Sequence, residues 1–244
     1  MALKHVAGRW LAGAVGAVIA SSVATGGEVP EGRQSMVSLG GRLYDNHWLD
    51  LNITPPDTRH PRYPDSSNTP SPQTWRCVSC HGWDYRGWQG TLGRGFQDST
   101  RFVSLRPSDG ASNKAILAKL KSETHKDMLS ALSPEQLDAL VMFVSAGQHD
   151  TSQGLVNGKS TGNVDRGKDI FEGACVSCHQ ADGKAYIEGE PGDQPSLGWV
   201  ANNRPEQALH KIKNGVPGAD MLSLRFLPHS DLLDLLAYLQ TLDR

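Results

Sequence analysis

Two segments of the chain carry apolar residues at the spacing of a buried helical face. In the first, Ser133 is followed by Pro134 and, three positions after the serine, by Gln136, a pattern that caps the start of a helix. The apolar residues that follow recur with the helical period at Leu137, Leu140, Val141 and Val144. Gly147 is expected to end this helix.

The same period returns near the C-terminus, where Ser230 is placed to cap a second helix. Its apolar positions are Leu232, Leu235, Leu236, Leu239 and Leu242. In both helices an aromatic residue lies six positions after the first leucine, as Phe143 and as Tyr238. The two helices therefore align without a gap.

Upstream of each helix, a glycine stands four residues before an aromatic residue, as Gly40 with Tyr44 and as Gly167 with Phe171. The repeat thus extends over a whole domain rather than a short motif. Length alone allows one or two domains, and the repeat favours two.

The predicted domains are residues 35–147 and 163–244. Residues 148–162 are rich in Gly, Ser, Thr and Asn without an apolar period, which is typical of a linker. Residues 46–75 hold six prolines and are predicted to be an insertion in the first domain that forms neither a regular helix nor a central strand. This insertion could cover a cofactor edge, bind a partner or serve as a passive loop.

All four cysteines of the chain lie in two copies of the pentapeptide Cys-Val-Ser-Cys-His. The copies are Cys77, Cys80 and His81, and Cys175, Cys178 and His179. A C-x-x-C-H sequence is typical of covalent haem attachment, with the thiols bound to the porphyrin and the histidine bound to the iron. A redox dithiol or a four-cysteine zinc site would leave both adjacent histidines unexplained. The prediction is two covalently bound haem c groups.

These motifs resemble the class I c-type cytochromes, specifically the periplasmic type with two domains in tandem. The resemblance implies an all-α fold in which each small helical domain surrounds one haem. It implies a close contact between the first and last helices of each domain, formed by Gly40, Tyr44 and Phe143 and by Gly167, Phe171 and Tyr238. A haem would complete the core of a domain of about 80 residues, which buries little surface alone.

The second domain resembles the family most closely. The segment "NGVPGADM" is similar to the family loop that carries the methionine ligand of the iron, which implies Met221 as the sixth ligand. Leu222 stands where the family usually has proline. Pro195 resembles the proline whose carbonyl holds the second ring nitrogen of the proximal histidine, here His179.

The first domain lacks that loop and offers two candidates for the sixth ligand in "THKDM". Met128 is the first choice because its place ahead of the last helix resembles that of Met221. His125 lies one turn earlier and stays an alternative, as does an open sixth position. We expect Met142 to pack in the core.

The remaining aromatic and histidine residues have no predicted ligand role. The aromatic residues near the first motif are expected to pack around the haem and the insertion: Trp75, Trp83, Tyr85 and Trp88. The isolated histidines are expected at the surface: His47, His60, His149, His210 and His229.

The N-terminus indicates export. Lys4 and Arg9 precede an uncharged apolar run that ends in small residues at Ala24, which is typical of a signal peptide. The run from Trp10 to Ala24 has fifteen residues, fewer than the ~20 that a spanning helix needs. We expect residues 1–24 to be cleaved, the mature protein to be periplasmic, and no permanent membrane span.

Charge and motifs together favour an electron carrier. Without the signal peptide the chain loses two of its 24 basic residues and keeps all 26 acidic ones, for a formal charge of −4, which does not suggest nucleic-acid binding. Expected partners are redox proteins that give and accept electrons, such as a dehydrogenase or a membrane respiratory complex. One alternative is a dihaem redox enzyme, of the peroxidase or sulfur-compound oxidising type, with the first haem as its substrate site. Another is an electron-transfer subunit of a dehydrogenase complex.

Overall fold

The computed structural model of the chain describes residues 31–94, 102–185 and 195–243. The described part of the first half contains α1 (Glu31–Asp50), α2 (Cys77–His81), α3 (Asn113–Leu120), α4 (Lys126–Leu129) and α5 (Pro134–Ala146). A hairpin of β1 (Leu155–Val156) and β2 (Lys159–Ser160) follows. The described part of the second half contains α6 (Val164–Ala174), α7 (Val176–His179), α8 (Leu197–Asn203), α9 (Pro205–Asn214) and α10 (His229–Leu239). The mainly helical prediction is confirmed, and the predicted signal peptide lies outside the described residues.

In the first half, α1 packs against α5 through a close approach at Gly40. A β-carbon at this position would collide with the carbonyl of Ala139 and the side chain of Phe143, so only glycine fits. One turn further along α1, the ring of Tyr44 lies 5.3 Å from that of Phe143. The predicted contact between the first and last helices of this half is present.

In the second half, α6 packs against α10 in the same way. A β-carbon at Gly167 would collide with the backbone of Asp234. The ring of Phe171 lies 5.3 Å from that of Tyr238. Both helix pairs are therefore built on one glycine and one aromatic pair, at the positions that the sequence repeat relates.

Each half has its own apolar core around this helix pair. The fully buried members in the first half include Val37, Tyr44, Tyr85, Leu140, Val141 and Phe143, and those in the second include Phe171, Ala201, Leu209, Leu232, Leu235 and Leu236. The apolar stripes of both predicted helices therefore face inward. Burial of this apolar surface is the main force that holds each half together.

The N-termini of α5 and α10 are capped differently. In α5, the Ser133 hydroxyl accepts a hydrogen bond from the Gln136 N–H, and the Gln136 side chain accepts one from the Ser133 N–H, as predicted. In α10, the prediction of a Ser230 cap is wrong, because the helix begins at His229 with Pro228 at the capping position. In its first turn, the N–H groups of Asp231 and Leu232 donate to the Pro228 carbonyl instead of to a side-chain cap.

The proline-rich insertion is ordered by hydrogen bonds to its own backbone. The guanidinium of Arg59 donates to three carbonyls, those of Pro64, Ser67 and Thr69. The indole of Trp75 donates to the Thr58 carbonyl over 2.6 Å. Apart from the last turn of α1, no α-helix or strand forms between residues 46 and 75, as the prolines predict.

The two halves meet along α1 and α9. Asp45 of α1 binds Lys211 of α9 at 3.0 Å and also pairs with Arg76. Burial raises the pKa of Asp45, but the two cations lower it more, so it lies below its usual value. The Asp45–Lys211 ion pair therefore joins the two halves. Among the described helices, none has the length and apolar character to cross a membrane.

Candidate haem-binding sites

The first pentapeptide forms the short helix α2. Arg76 precedes it in extended conformation, and Gly82 ends it with a φ of 77°, a value that favours glycine. Cys77 and Cys80 are three residues apart, so their side chains lie on the same side of one helical turn. All four cysteines of the chain are free thiols.

His81 is held in one ring orientation by a backbone carbonyl. Its Nδ1 lies 2.8 Å from the carbonyl oxygen of Val103, which can only accept a hydrogen bond. Nδ1 therefore carries the proton, and Nε2 has the lone pair that can bind a metal. Burial lowers the pKa of His81 to about 4, so the ring is neutral at neutral pH. Val103 could not be identified from the sequence because nothing near it resembles the family proline.

The thiols of α2 lie in apolar surroundings. Burial raises the pKa of Cys77 and that of Cys80 to about 12. A redox dithiol works through a thiolate with a lowered pKa. The environment of Cys77 and Cys80 therefore does not favour an exchange-active dithiol.

The two candidates for the sixth position at this site lie in different surroundings. The ring centroid of His125 is 6.2 Å from that of His81. Met128 is buried with Trp48 and Trp75, and Cys77 lies at the edge of that cluster. The structure places His125 beside His81, whereas the ligand role of Met128 stays a prediction.

The second pentapeptide is more exposed. Cys175 caps α7, and burial raises the pKa of its thiol to about 11. Cys178 is exposed, and His179 is half-buried with a pKa lowered by that burial. Together with the thiols, the imidazole provides the same donor set as α2, in the same order along one helical turn.

The predicted ligand loop of the second half lies between α9 and α10. Gly215 and Gly218 both have positive φ, of 87° and 69°, and so let the chain turn sharply before Met221. Met221 is partly buried, and its carbonyl lies close to Gly215. The ligand role of Met221 and the bond from Pro195 to His179 stay predictions.

The donor sets fit covalently held haem. Each site offers two free thiols and one imidazole on a single helical turn. At the first site this imidazole is that of His81, which is neutral and has its Nε2 available. Residues 164–243 match the family model for cytochrome c. No curated protein matches the chain significantly.

The cytochrome c domain spans α6 to α10 and includes Cys175, Cys178, His179 and Met221. A domain of this family implies covalently bound haem c and a haem-based role in electron transfer. The match begins after the linker, so the first pentapeptide lies outside it. A haem at Cys77 and Cys80 stays a prediction, based on the repeat and consistent with the structure of α2.

The prediction that the isolated histidines lie at the surface is wrong for four of them. Those that are buried are His47, His60, His149 and His210, while His229 is partly buried. Sequence alone could not place them because their partners lie in distant segments. Among the aromatic residues, Trp75 and Tyr85 are buried as expected, but Trp88 is 43% exposed.

Proposed function

We propose that the chain is a dihaem c-type cytochrome in which two tandem domains carry single electrons between redox proteins. The observation that carries this proposal is the second copy of the site. The first half repeats the helix pair, the close glycine and the aromatic contact of the cytochrome c domain, and it places a C-x-x-C-H helix beside them. A haem at each site supplies reversible one-electron chemistry at its iron.

The residues have distinct roles in this proposal. The thiols of Cys77 and Cys80 hold the first haem and those of Cys175 and Cys178 the second. His81 and His179 bind the irons from the proximal side, and Val103 fixes the ring of His81. Met221 is the sixth ligand of the second haem, where a thioether with an imidazole raises the reduction potential.

The surface beside Met221 supports docking of a redox protein. Leu222 is 70% exposed and Phe226 is 64% exposed, and both lie in the segment that carries Met221. Exposed apolar side chains next to a haem ligand give a partner a small contact area close to the iron. Such interfaces are typical of weak, rapidly exchanging electron-transfer complexes.

We also propose that the protein works in the periplasm. Cytochrome c domains are commonly exported, and residues 1–24 have the charge and apolar pattern of a signal peptide. N-terminal sequencing of the protein from a periplasmic extract should begin after Ala24. A mature protein that retains residues 1–24 would contradict cleavage.

Electron transfer is tested by a potentiometric titration of the holoprotein followed by absorption. We expect two reversible one-electron steps, one for each haem. The double variant Cys77→Ser/Cys80→Ser should keep only the step of the second haem. Catalytic turnover of hydrogen peroxide or of thiosulfate by the purified protein would instead support the enzyme alternative.

A further inference from the structure

The rings of His81 and His125 have the separation expected of two ligands on one iron. Their centroids are 6.2 Å apart, and their planes are 27° from parallel. A metal-to-nitrogen distance of about 2 Å on each side, with each ring centre roughly 1 Å behind its nitrogen, places the centroids of two axial imidazoles about 6 Å apart. The observed centroid distance of 6.2 Å matches this separation.

In each ring, Nδ1 is also held by a hydrogen bond to a backbone carbonyl. His125 Nδ1 lies 3.1 Å from the carbonyl oxygen of Lys119, at the end of α3. Because that oxygen can only accept, His125 Nδ1 donates to it, and Nε2 is the ring nitrogen left for a metal. Val103 orients His81 in the same manner. Metal-bound histidines are typically oriented by such a bond to the second nitrogen.

Met128, by contrast, packs against two tryptophans. Its side chain is 5% exposed and belongs to a cluster with Trp48 and Trp75, and sulfur packs favourably against aromatic rings. Met128 lies on the four-residue helix α4, directly after His125. Its N–H donates to the His125 carbonyl over 3.0 Å. The turn that ends α3 and starts α4 thus brings His125 to the His81 side while Met128 contacts the tryptophans.

From this geometry we propose that His125 Nε2, and not the Met128 sulfur, is the sixth ligand of the first haem. The inference rests on the proposed dihaem function. It makes the first haem bis-histidine and the second histidine–methionine. Since methionine ligation raises the reduction potential, the first haem has the lower potential. Electrons therefore move favourably from the first haem to the second.

The ligand set is read from the weak absorption band that a thioether on ferric haem iron produces. We expect Met221→Leu to abolish this band completely, because the first haem contributes none. A thioether band that survives in Met221→Leu and disappears in Met221→Leu/Met128→Leu would overturn the proposal. The number of haems, read from the intact mass, tests the dihaem function separately, so a two-haem protein with a surviving band refutes only the ligand assignment.

A second experiment replaces the proposed ligand itself. In His125→Ala, the first haem should become high-spin, bind carbon monoxide in the ferrous state, and return to low-spin when imidazole is added. Met128→Leu keeps the apolar volume and should leave the first haem low-spin with an unchanged potential. If His125→Ala leaves the first haem low-spin and closed to carbon monoxide, His125 is not a ligand. Rescue by imidazole distinguishes a lost ligand from a merely disturbed fold.

Discussion

The hydroxyl of Tyr85 lies 2.9 Å from Nδ1 of His210, a hydrogen bond that joins the first half of the chain to the second. His210 Nε2 lies 3.0 Å from the Gly41 carbonyl, so Nε2 carries the proton and Nδ1 accepts from the tyrosine. The Tyr85 oxygen then accepts from His149 Nδ1 over 3.1 Å. One ordered chain of hydrogen bonds therefore runs from the linker through the first half into α9.

Tyr85→Phe should destabilise the protein because it leaves the facing nitrogens of His149 and His210 buried without a partner. The expected loss is about 1–3 kcal/mol in the free energy of unfolding. Denaturant unfolding of the holoprotein measures it. Tyr238→Phe is the matched control, since no hydrogen bond to its hydroxyl is found among the described residues, and it should change stability far less. Equal effects of the two substitutions would argue against the network.

Stability should fall between about pH 6.5 and pH 4 because His210 is buried and neutral. Burial lowers its pKa to about 4, below its unfolded value, although nearby Asp45 raises it. The unfolded chain thus binds more protons in this window, and the stability present above pH 6.5 is lost as the pH falls towards 4. A shift of this size corresponds to roughly 3 kcal/mol.

The test compares unfolding of the holoprotein at a series of pH values in wild type and in His210→Gln. We expect a lower overall stability for the variant and a flatter dependence on pH within the window. His229→Gln, which alters a partly buried histidine, is the control and should leave the slope closer to that of wild type. An unchanged slope in His210→Gln would show that other groups cause the acid sensitivity.

The contact between α6 and α10 predicts opposite effects for two glycines on the same helix. Gly167→Ala places a β-carbon against the Asp234 carbonyl and should cost about 1–3 kcal/mol. Gly173→Ala meets no atom within 4 Å and should be neutral or stabilise by up to about 1 kcal/mol. Thermal unfolding of both variants measures the difference. A tolerated Gly167→Ala would mean that the helices are not in close contact there.

The helix pairs could be predicted from the sequence because their determinants are local. The apolar period of α5 and α10 and the spacing of Gly167 from Phe171 are visible without knowledge of any other segment. The burial of His210 could not be predicted, because its partners Gly41 and Tyr85 are far away in the chain. Likewise, His81 is oriented by the backbone carbonyl of Val103. Every residue type has such a carbonyl, so the sequence does not indicate which one is used.

For a related reason, the sequence favours Met128 as the sixth ligand of the first haem and leaves His125 as the alternative. A histidine and a methionine three residues apart can both reach a site ahead of the last helix. Only the turn between α3 and α4 determines which of them lies beside His81. The Met221 loop had a recognisable glycine and proline pattern, so that candidate could be selected directly.

The most direct test of the dihaem proposal is the intact mass of the exported, purified protein, measured after acidic extraction of loosely held haem. The account predicts the mass of the chain without residues 1–24 plus two haems. Cys77→Ser/Cys80→Ser and Cys175→Ser/Cys178→Ser should each lose one haem and keep the other. A wild-type mass with a single haem, and free thiols at Cys77 and Cys80, would contradict the proposal that the first half repeats the cytochrome c domain.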